Sequence, residues 1–100
     1  MARRNQFSVD AESVQGNAGA EITFRPLKIR EWNEYRSTDQ TDEDLLRAHV
    51  KGWSGIEDDD GHDLPNPQDE PEAIGELYLH EQRAIVRLLL QGPDGADAKN

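Results

Sequence analysis

The chain has 100 residues, 34% hydrophobic and 32% charged, enough for one small domain with one small core. Eleven Lys and Arg stand against 21 Asp and Glu, and the formal charge of −10 argues against nucleic acid or an anionic membrane as partner. There is no cysteine for a disulfide or thiolate zinc site, and no apolar run long enough to span a bilayer, so a soluble protein is expected.

Met1-Ala-Arg-Arg4 begins like a secretion signal, but no apolar run follows it. Residues 1–20 are small and polar with breakers at Gly16, Asn17 and Gly19, and they read as a flexible N-terminal arm. Within the arm, Phe7 and Val9 offer an extended strand to a partner as the alternative. Residues 21–91 read as a single small α+β domain, mainly helical. It combines a short N-terminal strand and a small hairpin with three to four short helices.

The strand is Glu21–Arg25, alternating polar and apolar until Pro26 closes it. Ile29–Arg36 places Ile29, Trp32 and, less directly, Tyr35 near one helical face, with Trp32 expected in the core. Thr41 is a helix N-cap because Asp44, three residues on, can return its hydrogen bond. Leu45, Leu46, His49, Val50 and Trp53 then form a wide apolar stripe, and the spacing predicts a helix running into Gly52 as terminator. Ser54–Ile56 is a brief extended piece, and Asp60-Gly61 marks a turn that would bring Ile56 and Leu64 face to face. Pro71 suits a first helical position. From Ile74 to Leu90 the apolar spacing predicts two short helices, or one with a bend, meeting near His80. Gly92-Pro93 ends the last helix, leaving residues 92–100 as a flexible acidic tail.

Glu57 to Glu72 carries eight carboxylates and no Lys or Arg. Asp58, Asp60 and Gly61 match positions three, five and six of a calcium loop, but Ile56 and Pro67 occupy the first and twelfth, where carboxylates are needed. A solvated turn is the expected reading, with no metal site. His49, His62 and His80 fall on three different elements, and no glycine pattern frames Ser54 as a nucleophile. No catalytic residue and no cofactor are expected; the chain does not read as an enzyme. Trp32 and Trp53 read first as core residues. They remain interface candidates because aromatic anchors dominate binding hot spots, and the Ile85/Leu88/Leu89 stripe remains one because so small a chain can complete its burial on a partner.

The order of a strand ending Phe24-Arg-Pro-Leu27, a helix carrying Arg30-Glu-Trp32, a capped helix ending VKGWSGI, an acidic Asp-Gly turn, Leu64-Pro65 and a terminal helical stretch resembles small tail assembly chaperones of long-tailed bacteriophages. The resemblance covers roughly Ile22 to Leu90. It implies a protein in the cytoplasm of the infected bacterial host that binds the long, helix-rich tape-measure protein and helps recruit tail tube subunits around it. It implies no enzymatic activity and no cofactor, with other phage tail or virion proteins as partners and self-association left open. A partner's amphipathic helix would then lie in a groove lined by Trp32, Trp53, Leu88 and Leu89, with Ile85 on the same stripe, while the Glu57–Glu72 carboxylates steer basic patches. The alternative is a virion structural protein, a capsid decoration or head–tail component, whose 1–20 arm contacts neighbouring subunits.

Overall fold

Local hydrogen-bonding chemistry sets the elements, and the computed structural model describes them over residues 5–92. In chain order they are β1 (Phe7–Asp10), α1 (Glu12–Gln15), β2 (Glu21–Phe24), α2 (Ile29–Ser37), α3 (Asp42–His49) and β3 (Val50–Ser54). A 3₁₀ turn (Pro71–Glu76) and α4 (Leu79–Gln91) complete an α+β fold. The strands form one antiparallel sheet in the order β1-β2-β3.

The sheet alternates as a half-buried sheet must. Phe7 lies opposite Phe24 and Val9 opposite Ile22, all four buried, with the two phenyl rings 5.4 Å apart. On the other face the Ser8 and Thr23 hydroxyls pair at 2.7 Å. Leu45 and Leu46 of α3, Ile74 of the 3₁₀ turn and Ile85 and Leu89 of α4 cover the apolar face.

The expected flexible arm is corrected here, because residues 7–15 form β1 and α1. Two apolar residues two positions apart are a weak local signal. Their partners Ile22 and Phe24 supply the missing half of the pattern. Gly16, at φ 81°, takes the left-handed conformation that closes α1 and returns the chain toward β2. Gln15 then fastens α1 to the body: its amide donates to the Glu57 carbonyl (2.9 Å) and the Glu81 carboxylate (3.0 Å), and its oxygen accepts the Glu57 N–H (2.8 Å). The expected tail falls almost wholly on residues 93–100, outside the described residues.

The capped helix begins as expected. The Asp44 N–H donates to the Thr41 hydroxyl (3.2 Å) and the Thr41 N–H to the Asp44 carboxylate (3.1 Å). It ends at His49, however, not at Gly52. Val50 pairs with Phe24 and Trp53 with Ile22, with an irregularity that passes over Lys51. Val50 and Trp53, three residues apart, keep a helical spacing and break a strand's alternation; the irregularity at Lys51 sets both opposite buried residues of β2, and pairing with β2 decides the outcome. Downstream, the Leu64 N–H reaches the Ile56 carbonyl (2.8 Å) and the Asp58 N–H the His62 carbonyl (2.8 Å), which makes the small acidic hairpin. Pro71 opens the 3₁₀ turn, and the chain bends at Leu77–Tyr78 before α4. Among the described residues no helix is long and apolar enough to cross a membrane.

Candidate functional site

Pro26 lacks an N–H and ends β2, turning the chain off the sheet. Leu27 packs against the core, but α2 beyond it contains no buried residue. This corrects the expectation that Trp32 enters the core: Trp32 is half-buried and Ile29 is 81% exposed. The helix is held by polar tethers. The Lys28 N–H donates to the Glu31 carboxylate (3.0 Å), which also meets the Arg25 guanidinium at 3.1 Å; these contacts hold the Glu31 carboxyl below its ordinary value. At the other end the Tyr35 hydroxyl donates to the Asp42 carboxylate. That bond, aided by partial burial, pushes the phenol up to about 12. The Trp32 ring stacks on Tyr35 at 5.5 Å, with the Arg36 guanidinium 5.9 Å from its centre.

Between α2 and the C-terminal end of α4 lies an apolar groove of about 450 Å³. Phe7 and Leu89, both buried, form its floor; Pro26, Leu27, Ile29 and Trp32 line one wall, and Leu90 with Gly92 the other. Leu90 is 48% exposed. Among the described residues Lys28 is the one charged residue in the lining, and no carboxylate lines the groove.

Of the five expected contact residues, the structure brings Trp32 and Leu89 together here. Ile85 is wholly buried and Leu88 packs against the core; neither lines the groove. Trp53 lies elsewhere, half-buried on β3. Its indole N–H donates to the Leu64 (3.3 Å) and Pro65 (3.1 Å) carbonyls and so pins the hairpin's exit. Sequence reasoning missed Phe7, Pro26, Leu27 and Leu90. Only the Pro26 strand stop was a local signal; the rest depend on contacts between distant elements.

The carboxylates do not steer into this groove either. Glu57, Asp58, Asp59, Glu76 and Glu81 line a separate polar cleft of about 490 Å³ with Tyr78 and His80. Glu81 is buried there and accepts N–H groups from the Gln15 side chain (3.0 Å) and the Tyr78 backbone (2.8 Å). Among the described residues, Asp58, Asp60 and His62 bring donor atoms within 4.8 Å of one another and could meet a metal. The Asp58 carboxylate already accepts the His62 and Asp60 N–H groups, both at 2.9 Å, which holds it below its ordinary value. His49 is spent structurally: buried, its Nδ1–H donates to the Arg25 carbonyl (2.8 Å), and burial lowers its pKa. No protein-family model, curated protein or solved structure matches the chain.

Proposed function

We propose that this chain is a non-enzymatic protein-binding module of bacteriophage tail assembly. In this reading the groove between α2 and α4 holds an amphipathic segment of the tape-measure protein, and the complex helps recruit tail tube subunits. The observation that carries it is α2, a nine-residue helix with no buried residue standing beside an apolar groove whose rims, Ile29 and Leu90, are open. Helix-in-groove recognition uses surfaces of this kind. Two of the segments that carry the resemblance to tail assembly chaperones, Phe24-Arg-Pro-Leu27 and Arg30-Glu-Trp32, contribute Pro26, Leu27 and Trp32 to the groove wall, which supports reading the two together. The virion alternative loses the free arm it relied on over residues 7–15, which pair and pack within this chain.

The test is co-expression with the phage's tape-measure protein, alongside mass spectrometry of purified particles. Co-purification that Ile29→Asp and Leu90→Asp abolish with unchanged circular dichroism, and absence from particles, are the expected results. Stoichiometric presence in particles would overturn the chaperone role. Leu89→Ser is unsuitable as a probe, because Leu89 is core and its loss would unfold the floor of the groove.

A further inference from the structure

On a chain of formal charge −10, the few cations are not scattered. Arg25, Lys28, Arg30 and Arg36 lie on or just before α2, and Arg83 and Arg87 on α4. Arg47 and Lys51 are the only other Lys or Arg of the described residues, and Arg47 is engaged by Glu43 at 2.6 Å. The two helices flanking the groove, with the residues leading into α2, therefore carry six cations against Glu31, Glu34 and Glu81; Glu31 is tied to Arg25, Glu81 faces the other cleft, and Lys28 is the cation in the groove lining itself. On α4 the exposed Arg83, Arg87 and Leu90 follow i, i+4, i+7 spacing and share one face. On α2, Ile29, Trp32 and Arg36 share the other, with Lys28 at the rim. Of the acidic residues between 57 and 76, Glu57, Asp58, Asp59 and Glu76 line the separate cleft.

We infer that the groove selects an amphipathic helix whose apolar stripe is flanked by Asp and Glu, not by Lys and Arg. The inference rests on the proposed helix-in-groove reading and gives its occupant a charge. Apolar residues of the partner would meet Phe7, Trp32 and Leu90, while its flanking carboxylates would face Lys28 and Arg36 on one side and Arg83 and Arg87 on the other. The rest of the protein's field repels such a helix, so its docking depends on these local cations, and specificity arises from placement within an otherwise acidic surface.

The test uses the full chain and two synthetic helical peptides with one shared Leu/Ala stripe, one flanked by Glu and the other by Lys. Binding is followed through the two indole N–H signals in NMR, with Trp32→Phe identifying the groove's own. The Glu peptide is expected to shift the Trp32 signal and to bind about tenfold more tightly than the Lys peptide, several exposed charge pairs at once giving an effect of that order. Arg83→Glu with Arg87→Glu should reverse the preference while circular dichroism stays unchanged. A Lys peptide that shifts Trp32 and binds as tightly or more tightly overturns the charge assignment and leaves the groove as a docking site. Neither peptide moving Trp32 overturns the groove reading itself. A dimer dissolved by Trp32→Ala assigns the groove to a second copy and overturns the inference as well.

Discussion

Helices α2 and α3 follow one another along the chain, are nearly equal in length and are held by opposite means. The first residues of α3 are fixed by the reciprocal Thr41–Asp44 cap, and Leu45, Leu46 and His49 bury its inner face. Helix α2 has no fully buried residue, with Trp32 and Tyr35 half-buried, and is held by Arg25–Glu31 at one end and Tyr35–Asp42 at the other. One helix is part of the core; the other is a wall tethered beside an apolar groove. An apolar stripe therefore says which residues share a face, and only the rest of the fold says whether that face is covered.

The sharpest way to break this comparison is to truncate one apolar residue on each helix. Leu46→Ala removes a wholly buried side chain and should cost about 2–5 kcal/mol in urea or thermal unfolding. Ile29→Ala should stay within about 0.5 kcal/mol, as an open surface position does. Equal losses would mean that α2 is packed in solution.

The second contrast is pH. Burial depresses the His49 pKa, so between the folded value and the unfolded value near 6.5 the unfolded chain binds more protons than the native one. Stability should be flat above about pH 6.5 and fall as pH drops below it, by no more than about 1.4 kcal/mol per pH unit for one proton. Denaturation midpoints measured from pH 7.5 to 5 check this, and His49→Gln should flatten the profile. A smaller loss, about 1 kcal/mol, is expected for Thr41→Ala, which removes the α3 cap and leaves the core intact.

How much of this was readable in the residues follows the reach of each interaction. The Thr41–Asp44 cap, Pro71 as helix opener and the Asp60-Gly61 turn act over a few residues and could be read directly. Strand β1 could not, because Phe7 and Val9 gain their meaning from Phe24 and Ile22 on another strand. Nor could the end of α3, since Val50 and Trp53 keep a helical spacing and join the sheet only through the irregularity at Lys51. In the groove, Trp32 and Leu89 were legible as apolar anchors. Phe7 and Leu90 were not, because only the tertiary fold places a strand, a helix C-terminus and α2 around one space. Trp53 shows the converse: an aromatic residue that looks like an anchor can be employed in holding a loop.

The smallest expected effect bears most directly on α2. Tyr35→Phe keeps the ring that Trp32 stacks on and removes the hydroxyl bonded to Asp42, one of the tethers holding the helix to the start of α3. Because no residue of α2 is fully buried and the Tyr35 ring is kept, global stability should change by less than about 0.5 kcal/mol. Amide hydrogen exchange should nevertheless quicken along Trp32–Ser37 and remain unchanged in α3 and α4, since local opening need not involve the core. Acceleration that spread into α3 would make the two helices one cooperative unit, and the wall of the groove would then be as rigid as its floor.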